Sequence, residues 1–498
     1  MLKFPSDKKG ENMRTKVVKC YIWFILGVFP LLMNNGFVDI SKTKSNIFLF
    51  ATGVLLISCL FGTALEKDWE LFLAKRNWLI YAVMIVITIS TLGASNIRWA
   101  ISGEMGRYQG ALVYYAYCIA ALCILNFGRM EKSYLDVLLV SSILLNLLAC
   151  LNFYEVDPLR TLAGIKEYHR HAYISSLGNI NLYSAYLSII TPVAIVNYIT
   201  EKENKKSLLY LTSLIFCYAG MMVSMCDSAY IILGVLFVAL PFWCLESYER
   251  RKRMSQALVL FGIVLLVLVF VNHKLIYPLE YVTGILLHFS DLTLCVGILV
   301  GFCVVDILFY LTKRITGNIN EKTWRRSWLC LISLVGAIVV YFYIKNTTFD
   351  GTWGSLRGFI WSQGCDFYFK QGIWQKLFGV GLDMIYPAFS SFYGQESIQI
   401  YGANYDNLHN EYLQYLVTVG IVGLLVYLIS MGWILYQIVK NAREDDMSLA
   451  IGMAGTCYVV QAFANISMTS VTPVIMTLLF AGLIINYKNL HNKRRKKL

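Results

Sequence analysis

The sequence predicts an all-α polytopic membrane protein of about fourteen transmembrane helices, with one large extracytoplasmic loop between helices 11 and 12. Three observations predict it. Hydrophobic residues fill 57% of the 498 positions, charged residues only 15%, and the mean hydropathy is +0.59; a soluble domain sits near half apolar and a quarter charged. The apolar residues gather in runs of ~17–25, the length that crosses a ~30 Å hydrocarbon layer as a helix. Only eight prolines occur, which suits long uninterrupted helices.

The runs fall at 18–34, 46–65, 77–93, 110–127, 133–152, 181–199, 207–225, 228–246, 255–271, 292–312, 328–345, 411–438, 448–466 and 471–487. The first has no small-residue cleavage site at its end and reads as a retained signal anchor. Between the runs lie short charged connectors, which cannot rest in hydrocarbon without severe cost. With the N-terminus in the cytoplasm, 31 of the 43 Lys and Arg residues fall on the inner side and 12 on the outer. That positive-inside bias puts both termini in the cytoplasm and the loop 346–410 outside the cell membrane. The chain thus divides into an N-terminal bundle of about eleven helices over 1–345, the loop over 346–410, and about three helices with a basic tail over 411–498.

The net charge of +13 is accounted for by basic runs beside helix ends, such as Arg250 to Arg253 and Lys493 to Lys497. They read as topology signals, not as a nucleic-acid surface, and an anionic-lipid site is the alternative. Eleven of the thirteen cysteines lie inside apolar runs, with Cys226 at a helix end and Cys365 in the loop; such residues act as small hydrophobes. No CxxC pair and no zinc-spaced histidines occur, so no metal is expected.

Candidate chemistry gathers on the outer side. Residues 355–376, SLRGFIWSQGCDFYFKQGIWQK, place Leu356, Phe359, Ile360, Phe367 and Ile373 at helical spacing, which predicts an amphipathic helix at the outer surface. Trp361 and Trp374 read as interfacial anchors. Arg357 is a permanent cation near the membrane plane, with a donor fork suited to phosphate. Gly379 and Gly381 permit a tight turn or a close backbone approach. His409 opens an apolar helix between Asp406 and Glu411; an imidazole there titrates near neutral pH and can take a proton from a hydroxyl. It can equally be a helix-start residue that only satisfies backbone groups.

Four stretches carry a resemblance. RGFIW (357–361) with LFGVGLD (377–383), HNEYLQYLVTVGIVGLLVYL (409–428), GRYQG (106–110) and LGNINLYSAYL (177–187) resemble the signatures of the O-antigen ligase and Wzy-type O-antigen polymerase superfamily of bacterial membrane glycosyltransferases. Ile180 stands where the family has proline, between Asn179 and Asn181, and Arg170 is the nearest match to the family's upstream arginine. The resemblance implies inverting, metal-independent transfer of glycan from a polyprenyl-diphosphate-linked oligosaccharide to an acceptor glycan or lipid, with no cofactor. It implies His409 as general base, Arg357, Arg107 and Arg170 as diphosphate ligands, and Asn410, Gly379, Gly381, Asn179 and Asn181 as motif support. Further partners are membrane lipids and other polysaccharide-assembly proteins. A polymerase is favoured over a ligase. The main rival is a polysaccharide flippase, which expects paired halves and polar groups near the bilayer midplane. The halves here are unlike each other.

Overall fold

The computed structural model describes residues 12–104, 106–226, 228–244, 247–275, 292–316, 347–351, 353–401 and 404–495, with scattered positions between 326 and 345. The expected helix over 328–345 lies largely outside the described residues. Most of the other predicted runs form helices: α1 (Met13–Trp23), α2 (Ile40–Glu66), α3 (Trp78–Leu92), α5 (Ala111–Phe127), α6 (Ser133–Phe153), α7 (Ile180–Thr200) and α8 (Asn204–Val223) in the first half. The short α4 (Ile97–Ser102) lies between α3 and α5. Then follow α9 (Ser228–Ala239), α10 (Pro241–Cys244), α11 (Tyr248–Leu275) and α12 (Leu292–Thr316). Among the described residues, seven helices are long and apolar enough to cross a membrane, and four shorter apolar helices accompany them.

Two runs are broken rather than continuous. The run 228–246 is interrupted before Pro241, whose ring cannot continue a helix without loss of a hydrogen bond. The run 411–438 divides into α16 (Glu411–Thr418) and α17 (Gly420–Val439). Gly420 there has φ +71°, a left-handed conformation that costs glycine nothing. After α17 come α18 (Asp446–Gln461) and α19 (Thr472–Arg495).

The long loop is mostly helical. It holds α13 (Trp353–Lys370), α14 (Ile373–Phe378) and α15 (Ile385–Tyr401). The predicted single amphipathic helix stops at Lys370, and Gly372 starts the next. Phe359, Ile360 and Phe367 are buried as expected, against Ile385, Phe389, Tyr405 and Leu408. Ile373 is instead 80% exposed. The loop therefore has its own small core, set against the bundle.

The centre of the bundle is α7, of which 94% of the spanning window is buried. Lipid tails are as apolar as leucine, so helix association in a membrane relies on close packing and interhelical hydrogen bonds. The Tyr183 hydroxyl donates to Asn146 Oδ1 at 2.7 Å, and Ser184, Ser228 and Gln461 share hydroxyl and amide bonds across three helices. Ion pairs divide into two ends. Arg14 with Glu66 and Asp68, Lys19 with Glu131, Lys132 with Glu201, and Arg250 with Asp446 lie at one. Arg107 with Asp406 and Lys370 with Asp366 lie at the other, with the long loop. All thirteen cysteines are free.

Candidate functional site

The site is built where six separated segments meet at the loop end: 104–109, 173–181, 354–361, 379–383, 406–418 and 464–469. The hairpin of β1 (Tyr173–Ile174) and β2 (Gly178–Asn179) leads into α7. The Asn179 side chain caps that helix by accepting from the Asn181 backbone N–H at 2.8 Å, an Asx cap that holds without the proline. Asn181 Oδ1 in turn accepts from Arg357 at 3.3 Å. Arg357 follows three left-handed residues, Gly354, Ser355 and Leu356, and for leucine that backbone is strained. The reversal brings the Gly354 carbonyl under the guanidinium at 2.8 Å, with the Ala464 carbonyl at 3.3 Å on the other side. Arg357 Nε is buried with no partner, and no carboxylate pairs with this arginine among the described residues. A cation held only by dipoles retains its full attraction for an anion.

His409 sits at φ +47°, and its backbone N–H donates to Asn407 Oδ1 at 3.1 Å. Asn410 caps α16 through the Tyr412 and Leu413 N–H groups. Trp361 donates its indole N–H to the Leu408 carbonyl at 2.9 Å, so it pins the segment before His409 and is no free interfacial anchor. Trp374 is 49% exposed. Neither ring nitrogen of His409 meets a protein partner among the described residues, and Nδ1 is buried. Burial, then the charges of Arg357 and Arg107, push the imidazole down to about 3, against the opposing pull of Asp406. The expectation of a near-neutral titration is corrected in this free state: a desolvated imidazole between two guanidiniums resists a further positive charge.

Arg107 is already engaged. Its Nε and one terminal nitrogen grip both oxygens of Asp406 at 2.6 and 2.8 Å. Burial opposes ionisation of that carboxyl, but Arg107 holds it below the usual carboxylate range. Beside the pair is a pocket of about 400 Å³ lined by Gln109, Asp383, Asn407, Tyr415 and Ser467. Asp383 Oδ2 accepts from the Glu104 N–H at 2.9 Å and the Gln109 N–H at 3.4 Å, yet burial still pushes its carboxyl up to about 6. Gln109 is 6% exposed and donates to Thr469, while its Oε1 is buried with no partner.

Gly379 and Gly381 do both things open to them. Their φ values are +80° and +107°, and the strand-like turn they frame lies against the break after α16. Val380 N–H donates to the Val417 carbonyl at 3.1 Å and Gly381 N–H to the Thr418 carbonyl at 3.0 Å. A Cβ on Gly379 would meet the Thr418 carbonyl oxygen at 2.1 Å, and one on Gly420 the Leu377 carbonyl at 2.3 Å. Arg170 is not part of this assembly. It is exposed, and its guanidinium donates to the Ile165 carbonyl of its own connector at 3.5 Å.

Below the site an apolar cavity of about 1080 Å³ runs between α3, α5, α17 and α19. Glu411, Tyr415, Tyr114 and Leu382 line both this cavity and the polar pocket. Glu411 is 3% exposed and accepts from the Tyr427 and Tyr458 hydroxyls at 2.7 and 3.1 Å. Among the described residues no three His, Cys, Asp or Glu side chains are grouped to hold a metal ion. The motifs LFGVGLD and GRYQG contained Asp383 and Gln109 without marking them, because what distinguishes both is an unfilled oxygen that only three-dimensional packing creates.

A comparison with curated proteins gives no match. Residues 281–428 match the family model described as O-antigen ligase. That span contains Arg357, Gly379, Gly381, Asp383, Asp406, His409 and Asn410, while Arg107, Gln109, Asn179 and Asn181 come to the site from outside it. The match covers less than a third of the chain: over 281–428 the protein is similar to the O-antigen ligase family, and its long apolar helices mark it as a membrane protein.

Proposed function

We propose that this protein transfers glycan from a polyprenyl-diphosphate-linked donor to an acceptor hydroxyl, on the outer side of the membrane, in surface polysaccharide assembly. The observation that carries the reading is the meeting of Arg357, which has no anionic partner, with the unbonded imidazole of His409 beside a large apolar cavity. Arg357 grips the donor diphosphate. The polyprenyl chain lies in the cavity between α3, α5, α17 and α19, whose wall begins at Glu411, two residues after His409. The acceptor hydroxyl gives its proton to a ring nitrogen of His409 as its oxygen bonds to the anomeric carbon. The bond from that carbon to the diphosphate breaks, and its electron pair leaves with the diphosphate. Attack opposite the leaving group inverts the anomeric centre.

In the free protein the imidazole is a weak base. A bound diphosphate places negative charge by Arg357 and so offsets one of the two groups that depress it; the base strengthens only when the donor is present. Arg107 positions the segment 404–410 through Asp406 and is not a primary diphosphate ligand. The separation of ion pairs into two ends supports the alternation of connectors, and the Lys and Arg bias supports the long loop facing outward.

A polymerase, with a growing glycan as acceptor, is our preferred form. The family's description favours the second reading, a ligase with a lipid or protein acceptor. The test is reconstitution in proteoliposomes with isotope-labelled lipid-linked glycan. Covalent transfer to acceptor with inversion supports the reading, and a ladder of repeats marks the polymerase. Movement of label across the bilayer with no new bond would replace it by a transporter.

A further inference from the structure

We infer that the pocket formed by Gln109 and Asp383 is a subsite for the acceptor, taking a neutral, hydroxyl-bearing sugar ring and rejecting the donor diphosphate. The inference rests on the transferase reading above and deepens it.

The first argument is the chemistry of the unfilled atoms. Gln109 Oε1 is buried with no partner, and the side chain is fixed because its nitrogen is committed to Thr469. One oxygen of Asp383 is held by two backbone N–H groups. The other has no protein partner among the described residues. Both open positions are acceptors, so the complementary ligand presents donors. The unfilled Gln109 acceptor is buried, which is unfavourable, and a ring with free hydroxyls can donate to it and to Asp383 together.

The second argument is charge. Asp383, Asp406 and Glu411 line the pocket and Arg107 is its cation; that cation is already bound to Asp406 by two bonds. A diphosphate entering here would meet uncompensated carboxylate, and like charges at close range are costly. Arg357, with no carboxylate partner, offers the diphosphate a better place. Asp406, which lines the pocket, is three residues before His409 in the segment that Trp361 holds at Leu408, so the base and the pocket are carried by one segment.

The third argument is shape. The pocket adjoins the apolar cavity, with which it shares Tyr114, Leu382, Glu411 and Tyr415. Tyr114 and Tyr415 line it with their rings 6.2 Å apart at 71°, giving an apolar surface for the C–H face of a sugar. Asp383 itself sits at φ +56°, held there after Gly381, so the carboxylate is preorganised.

The test uses the full chain in lipid nanodiscs, with two probes. Methyl hexopyranosides and methyl N-acetylhexosaminides are examined by saturation-transfer NMR, and a bare polyprenyl diphosphate by equilibrium binding. Wild type should saturate ring protons of at least one glycoside. Gln109→Met, which keeps the side-chain length and loses the acceptor, should weaken that signal by about tenfold or more, and Asp383→Asn should weaken it also. Both variants should bind the bare diphosphate like wild type, and diphosphate should not displace glycoside. No glycoside signal in wild type, displacement by diphosphate, or full signal in Gln109→Met would overturn the inference. If Asp383→Asn fails to fold, Gln109→Met decides alone. Glycoside binding with no diphosphate binding in wild type would instead sink the transferase reading and leave the sugar pocket standing.

Discussion

At the scale of single residues, His409 combines a ring with a buried, unbonded Nδ1 and an environment that resists its protonation. Because a kcat/KM profile reports the free enzyme and a kcat profile the loaded one, the two should differ. The acid limb of kcat should lie at higher pH than that of kcat/KM, since donor charge relieves the depression to about 3. Coincident acid limbs in a steady-state assay would deny the electrostatic link between donor and base. His409→Asn should insert normally, still bind donor, and transfer about 10²–10⁴-fold more slowly. There is a stability consequence as well. The folded pKa lies below the unfolded value near 6.5, so the unfolded chain binds the extra proton between about 6.5 and 3, and stability falls as pH drops through that window. Thermal melts in detergent should show a smaller loss between pH 7 and pH 4.5 in His409→Asn than in wild type.

The two arginines should separate in the same assays. Arg357→Lys keeps the charge and loses the fork, so donor binding should weaken by about ten- to a hundredfold with folding intact. Arg107→Ala leaves Asp406 buried without its cation, and its main effect should be a lowered melting temperature. Double replacement of Arg107 and Asp406 by Met and Leu should restore part of that stability. Equal loss of donor binding in both single variants, at unchanged melting temperature, would reverse the assignment.

At the scale of elements, the break between α16 and α17 and the turn 379–381 form one joint. Their backbones touch, so neither Gly379 nor Gly420 has room for a methyl group. Gly420→Ala should destabilise by about 1–3 kcal/mol from the backbone conformation alone, read as a lower melting temperature, and should cut transfer by moving Glu411 and His409. Gly432→Ala, on the same helix with open space around it, is the control and should be neutral or slightly stabilising. Periodicity predicted one helix over 355–376, and of its apolar face Phe359, Ile360 and Phe367 are core, while the helix stops at Lys370 and Ile373 is exposed. The helix Ile385–Tyr401 was not foreseen. Its Pro387, Gly394 and run of Tyr and Ser are weak helix formers, and packing of Ile385 and Phe389 on the loop core overrides that preference.

At the scale of the molecule, the arrangement predicts which surfaces meet which compartment. In a background with Cys20, Cys330 and Cys365 replaced, single cysteines at Ser391 and Gln395, both exposed, should label with an impermeant reagent on intact cells. Ser397 is only 2% exposed and makes a poor probe. A cysteine at Asn204, exposed beside the Lys132–Glu201 pair, should label only in opened membranes. Labelling at position 204 in intact cells would overturn the orientation.

Membrane class and the presence of Arg357 and His409 on one stretch between apolar runs were determined by sequence alone. Hydrophobic run length and charge placement are set by the bilayer as solvent, which acts on each segment separately. Tertiary structure decided which charges are already spent. Arg107 and Arg357 are indistinguishable as residues, but Asp406, 299 positions away in the chain, neutralises one and leaves the other open. It also left Arg170 outside the cluster and placed Gln109 and Asp383 with unfilled oxygens in one pocket. Electrostatic partnership and burial depend on what long-range contact brings near, and no local pattern carries that information.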